Sequence, residues 1–559
     1  MLSLIDKIGD WNPQLLRELK GRLKPFPILI ALATSLATQL IIFLYQLREF
    51  PGENYQSYRK YCKVKYFSIC PTDQIDMQLW WHDHCEYMFL TMSVIFIFTL
   101  LVAGTYLIVN DLSQEERQGT LNFIRLSPQS ETSIFTGKLL GVPVLIYLVV
   151  LAAIPFHIVT GKLANIALSH ISYFYLILVA SCICFYSIAL LFGIFGGSAL
   201  SGFKPWLASG LVMLFLIATV AMNQGSSYDN SSAFFRLFSP VGMTRYLFPN
   251  LFYKGIPALE KLKFFSLPLG ENVLTLMAIH LFNYAIWTYW AWQGLKRCFR
   301  NPNTTIFSKQ QSYFIVTSFE IIICGFLLSG DYTSRRSLFH VVTNLYLWNL
   351  LLFVGLFAII FPSRQAVQDW ARFRYQKVAT RKNSFNKSLL SDLITGEKSP
   401  AILAIAINLL IATSAFLVII LNVEANLLRD NHQVLGCLGV LLFISSTMIY
   451  ATIAQIMLML KNSKRNLWAI GTTGAAIILP AFILSILNVY PLHTDSIGSI
   501  SWLFSSGFWY GVENSGFGTV VSVFLCQLAI VALLNWYLVK QVKSAGASAT
   551  KALFANSHQ

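Results

Sequence analysis

The stretch Ile28-Leu-Ile-Ala-Leu-Ala-Thr-Ser-Leu-Ala-Thr-Gln-Leu-Ile-Ile-Phe-Leu-Tyr-Gln-Leu47 contains no charged residue. At about 1.5 Å per helical residue it covers about 30 Å, the thickness of bilayer hydrocarbon. Working outward, further apolar runs begin near Phe89, Gly137, Ile171, Trp206, Asn272, Tyr313, Phe339, Ala401, Leu435, Leu467 and Gly518. The chain therefore reads as an all-α, polytopic membrane protein of about 12 transmembrane helices. Composition agrees: 55% of the 559 residues are hydrophobic and 12% charged, with a mean hydropathy of +0.59. Such a chain cannot clothe a soluble surface, which excludes a cytosolic enzyme.

The first run follows Asp6, Asp10 and Glu18 and has no small-residue cleavage site, so it reads as an uncleaved anchor. With the N-terminus inside, most of the 41 basic residues fall in inner segments, which places both termini in the cytoplasm of a cell (plasma or inner) membrane. The net charge of +16 then faces anionic headgroups and acidic partners. No folded basic domain suited to nucleic acid is present.

A cut near Pro302 divides the spans into two parallel six-helix repeats, residues 1–300 and 301–559. In each half the second span leads to an elaborate inner segment, 110–136 and 363–400. The fifth leads to an aromatic outer segment, 223–270 and 489–517. Inside those outer segments Arg236-Leu237-Phe238-Ser239-Pro240 and Trp502-Leu503-Phe504-Ser505-Ser506 occupy similar places.

Ahead of the first span, Asn12 is placed to cap a helix with Pro13 at its first position. Over 12–24, Leu15, Leu16, Leu19 and Leu23 share one face and Arg17, Lys20 and Lys24 another, as expected of a helix in the membrane interface. After the second span, Ser113 and Glu116 have capping-box spacing, Gly119 suits a bend, and Pro128 suits a stop. Two short helices on a tight loop are predicted, ending where Gly137-Lys138 opens the third span. Glu115, Glu116, Arg117 and Arg125 should form a two-signed cluster at the tip.

These features resemble the membrane subunits of ATP-binding-cassette exporters of the ABC-2 type, or type V fold. The resemblance rests on the Asn12–Lys24 helix and on Glu115-Glu116-Arg117-Gln118-Gly119-Thr120-Leu121. Leu126-Ser127-Pro128, Gly137-Lys138 and the long outer segment before the sixth span complete it. In the second half Asp392-Leu-Ile-Thr-Gly-Glu397-Lys398-Ser-Pro400 stands at the corresponding place, while the basic stretch Arg364–Lys377 replaces the Glu-Arg-Gln-Gly-Thr run. The resemblance implies a permease whose inner helices dock on two copies of a separate ABC ATPase. The docking residues it implies are Glu115, Glu116, Arg117, Gly119, Arg125, Asp392, Glu397 and Lys398. ATP would be hydrolysed by the partner, since this chain has no G-x-x-x-x-G-K-[ST] and binds no cofactor of its own. The cargo passing between the halves would be lipid-like, a glycan or a drug.

Within the spans Glu320 is the costliest residue, and with Asn283 it is a candidate for the pathway. Phe238, Phe504 and Trp509 mark a hydrophobic outer exit or an interface belt. His82-Asp83-His84-Cys85, with Glu86, reads as an interfacial loop rather than a metal site. Cys62 and Cys70 can pair in an oxidising compartment, leaving Cys85 free, with the connectivity open. Two other classes compete. A secondary transporter of the major-facilitator plan also has six plus six spans, but its long inner loop follows the sixth. A membrane glycosyltransferase would use acidic residues such as Asp73 and Asp76.

Overall fold

The computed structural model describes residues 2–48, 60–63, 74–195, 203–223, 233–248, 262–302, 304–327, 335–378, 385–422, 432–462, 464–490 and 496–556. Among them the only strands are β1 (Lys263–Phe264) and β2 (Leu267–Pro268), which form a two-stranded hairpin. Everything else of regular structure is helical, and eleven helices are long and apolar enough to cross a membrane. The protein is an all-α polytopic membrane protein. Its chain forms two compact units, Met1–Lys263 with Leu267–Arg300, and Phe264–Ser266 with Asn301–Gln559.

Unit 1 opens with α1 (Leu2–Trp11) and α2 (Pro13–Arg22). Asn12 Oδ1 accepts the Leu15 amide at 2.9 Å, with Pro13 at the first helical position. After α3 (Pro25–Leu47), Asp76 caps α4 (Met77–Phe98) by accepting the Leu79 amide at 3.1 Å. The four residues read as a loop, His82 to Cys85, are therefore helical, because the cap sets the start of the helix well before the apolar run begins.

From Met77 the backbone stays helical to Gln118 through a π turn at Thr99–Ala103 and α5 (Gly104–Gln118). At about 1.5 Å per residue this rod is roughly 60 Å long, about twice the hydrocarbon thickness. The second element therefore has to extend beyond the bilayer. The expected helix start at Ser113 is absent, since a capping pair acts only where the backbone leaves the helix and nothing between Gly104 and Leu112 breaks it. Ser113 is buried in the middle of α5.

Gly119, at φ 75°, ends α5 in the left-handed region that favours glycine, and α6 (Thr120–Leu126) leaves in a new direction. Ser130 caps α7 (Glu131–Gly141), and the third span proper, α8 (Val144–Leu163), begins only beyond Pro143. Gly137 and Lys138 thus belong to a separate short helix and do not open the span. Pro143 has no amide to continue α7, so the chain breaks there. The unit is completed by α9 (Leu168–Ile194), α10 (Lys204–Asn223), α11 (Ala233–Leu237), α12 (Pro240–Leu247) and α13 (Val273–Arg300). The last matches the expected span near Asn272 in length but is not among the eleven. His280, Asn283, Gln293 and its basic end dilute its apolar character.

Unit 2 contains α14 (Lys309–Leu327), α15 (Arg335–Ile360), α16 (Arg364–Val378), α17 (Phe385–Thr395), α18 (Ile402–Asn422) and α19 (His432–Leu458). It continues with α20 (Arg465–Ile486), α21 (Ser496–Leu503), α22 (Phe508–Asn514) and α23 (Phe517–Asn556). The basic stretch from Arg364 is helical and lies against α23. There Val367 joins Ile456, Met459 and Leu538 in a small core, and Gly546 lets the α16 backbone at Ala371 come close.

The two Leu-Phe-Ser stretches, 237–239 and 503–505, take the same local form. Amides of Phe238 and Ser239 bond the carbonyls of Phe235 and Arg236 at 3.3 and 3.0 Å, and those of Phe504 and Ser505 bond Ser501 and Trp502 at 3.3 and 3.0 Å. Leu237 and Leu503 are buried, and each serine oxygen accepts the amide two residues on, from Val241 and from Gly507. The leucine carbonyls are held alike. His280 Nδ1 of α13 donates to Leu237 O at 3.0 Å, and Gln527 Nε2 of α23 donates to Leu503 O at 3.3 Å.

Candidate functional site

Helices α2, α5 and α7 meet around one ammonium group. Lys138 is 1% exposed, and its Nζ lies 2.6 Å from Asp111 Oδ2, 2.7 Å from Glu115 Oε2 and 3.5 Å from Glu18 Oε1. Two more cations close the network. Arg17 meets Glu115 Oε1 at 2.6 Å, and Arg22 bridges Glu18 and Asp111, the latter at 2.5 Å. Burial works against the Lys138 charge, but Asp111, Glu115 and Glu18 outweigh it and hold its pKa above the ordinary lysine value. The three carboxylates stand close enough to ligate a metal ion, and the ammonium occupies that role.

Glycines make the approach feasible. A Cβ on Gly137 would lie 2.8 Å from the Leu15 amide nitrogen, and one on Gly141 would lie 2.5 Å from Glu18 Cβ. Asn12 adds a second tie, donating from Nδ2 to Ser133 O at 2.8 Å. The amphipathic helix α2 therefore buries Gln14, Leu15 and Glu18 against α7. Leu23, from the face expected to meet lipid, stays exposed.

The projection held by this bracket presents an apolar tip. Phe123 and Leu126 of α6 are 78% and 85% exposed. The anticipated charged tip does not assemble, because successive residues of a continuous helix point about 100° apart. Glu115 turns inward to Lys138, Glu116 pairs with Lys204 of α10 at 3.1 Å, and Arg117 faces outward. Arg125 donates to Asn122 Oδ1 at 3.1 Å and lies over the Phe299 ring, where burial lowers its pKa despite Glu116. Arg300, at the end of α13, fixes the turn after α6 through Glu131 at 2.9 Å and Gln129 O at 3.2 Å.

Unit 2 builds its corresponding corner differently. Lys309 Nζ donates to Ser399 Oγ at 2.6 Å, Leu393 O at 2.9 Å and Pro400 O at 3.0 Å. Asp392 pairs with Arg374 Nη2 at 2.7 Å, while Glu397 and Lys398 are exposed.

The other singled-out residues are dispersed. Asn283, in unit 1, accepts from Trp287 Nε1 at 3.0 Å, and Glu320, in unit 2, is 5% exposed. Phe238 stacks edge-on with Phe234, Phe504 is exposed, and Trp509 is buried face to face with Phe416. Asp76 serves as a helix cap, and Asp73 lies outside the described residues. Cys62 is disulfide-bonded, Cys85 is a buried free thiol, and Cys70 lies outside the described residues. His82, Asp83 and Glu86 gather on one side of α4, and Lys60 pairs with Asp83 there.

Sequence reasoning passed over Lys138, Lys204 and Lys309 as anchors and Phe123 and Leu126 as surface. A single lysine inside an apolar stretch, as in Ile134-Phe-Thr-Gly-Lys138-Leu-Leu140, was the available signal for a buried partner. Comparison with protein-family models, with curated proteins and with solved structures gives no match.

Proposed function

We propose that the chain is the transmembrane permease of an ATP-driven exporter of the ABC-2 type, powered by two copies of a separate ABC ATPase. The observation that carries the reading is a stiff projection with a bare apolar tip. A helical rod of roughly 60 Å ends in α6, and the buried Lys138 network clamps its base to α2 and α7. A partner that closed on ATP would push on Phe123 and Leu126, and the clamp would pass that push to the long rod. With both termini cytoplasmic, the projection lies on the side where ATP is available. The chain carries no nucleotide-binding motif, so it acts as transport subunit and not as enzyme. Its cargo, of lipid-like, glycan or drug character, would move between the two halves of a cell-membrane protein.

The structure redirects the test of docking. Reversing Glu116 would break its own pair with Lys204, so the informative variant is Phe123→Ser with Leu126→Ser. Both side chains are exposed, and such surface changes leave stability within about 0.5 kcal/mol. Losing two apolar side chains from an interface costs about 3–6 kcal/mol, enough to release a partner. Purification from native membranes in mild detergent should yield a stoichiometric ATPase with the wild-type chain and none with the double variant. Transport by the purified chain alone would reject the proposal.

A further inference from the structure

Unit 2 holds a carboxyl group without a donor. Glu320, on α14, has both side-chain oxygens buried, and neither has a hydrogen-bond partner. Its polar neighbour is Asn349 of α15, which is fully buried. Asn349 uses Nδ2 on Leu345 O at 3.2 Å, and its Oδ1 is a second buried acceptor without a partner. Three acceptor oxygens thus share one apolar place, and none of them receives a hydrogen bond.

The surrounding elements offer no countercharge among the described residues. The titratable neighbour is Cys324, one turn further along α14. From α18, Asn408 donates to Ser312 two turns earlier on α14. From α17, Asp392 is committed to Arg374, and Lys309 at the start of α14 is committed to Ser399, Leu393 O and Pro400 O. Ionising a carboxyl in such a place is strongly unfavourable, and a group so placed neutralises instead. One proton on the carboxyl would convert one acceptor into a donor for Asn349 Oδ1 and leave a single carboxyl oxygen as acceptor.

We propose that Glu320 is a proton-binding site of unit 2, held as the neutral carboxylic acid with its O–H donated to Asn349 Oδ1. The proton comes from solvent as the segment enters the membrane, and no covalent bond other than the O–H is made. Any rearrangement that brings water to Glu320 frees this proton, so that step becomes proton-linked. The site stands apart from the proposed ATPase docking, and either can fail without the other.

Infrared difference spectra of the full chain in lipid nanodiscs at neutral pH, with and without carboxyl-¹³C glutamate, test the assignment. The expected result is a protonated-carboxyl C=O band that shifts with the label and is lost in Glu320→Gln. Asn349→Leu should keep the band and move it to higher frequency, because the free acid has no hydrogen-bond acceptor. That second variant decides the matter if Glu320→Gln does not fold. A spectrum without such a band would overturn the proposal, as would a band that survives in Glu320→Gln or stays unmoved in Asn349→Leu.

Discussion

Lys138 in unit 1 and Lys309 in unit 2 are both nearly inaccessible and lie beside a short helix, and the two are surrounded in opposite ways. Lys138 in unit 1 sits among the carboxylates of Glu18, Asp111 and Glu115, with Arg17 and Arg22 behind them. Lys309 in unit 2 meets a hydroxyl and two backbone carbonyls, and the nearby ion pair Arg374–Asp392 lies partly in solvent. Charges placed so fix distances and angles among three helices at once, at a high desolvation cost. A lysine on carbonyl oxygens ties down the end of one helix and its following turn. Unit 1 is thus built as a rigid bracket and unit 2 as a local clasp, a difference that agrees with the load-bearing role proposed above for the projection of unit 1.

The comparison is broken most directly at Lys138. Lys138→Met should cost about 3–5 kcal/mol, because it leaves buried carboxylates facing one another without their shared cation. Denaturant titration of the detergent-solubilised chain reads the loss. The same network sets an alkaline limit. The folded-state pKa of Lys138 is raised, so its stabilisation is full below the unfolded lysine value of about 10.4 and is lost as pH rises through the folded value. A stability profile taken above about pH 10 should fall more steeply in wild type than in Lys138→Met.

Lys309→Met comes next. Three oxygens lose one donor and no charge is left buried, so about 1–3 kcal/mol is expected. If the two substitutions cost the same, the distinction between bracket and clasp does not hold.

Much of this architecture was legible beforehand. Apolar runs announced the spans, Asn12-Pro13 announced α2, and Gly119 announced the turn. Local chemistry decides each of these, and local chemistry is written in adjacent residues. The bracket was not legible, because Glu18, Asp111 and Lys138 are brought together only by the packing of three helices. Hidden too was the continuity of α4 into α5, since a favourable cap at Ser113 does not reveal that the helix has already begun. The apolar tip was overlooked for a related reason. Phe123 and Leu126 look like ordinary core residues until the turn at Gly119 sends α6 away from the body.

The smallest effects discriminate between the two turns themselves. Gly119 has open space around its Cβ position but a φ of 75°, so Gly119→Ala should cost about 1–2 kcal/mol through backbone strain alone. Asparagine tolerates the left-handed region, and Gly119→Asn should recover most of that loss. Gly396 in unit 2 has no positive φ, yet a Cβ there would lie 2.5 Å from Asp392 O, the carbonyl that its own amide bonds at 2.8 Å. Asparagine brings the same Cβ as alanine, so Gly396→Asn should be no better than Gly396→Ala in thermal unfolding. Rescue by asparagine at 119 and not at 396 would show that one turn depends on dihedral freedom and the other on space. Rescue at both positions would mean that the close contact at Gly396 relaxes, leaving the clasp more yielding than the bracket it is compared with.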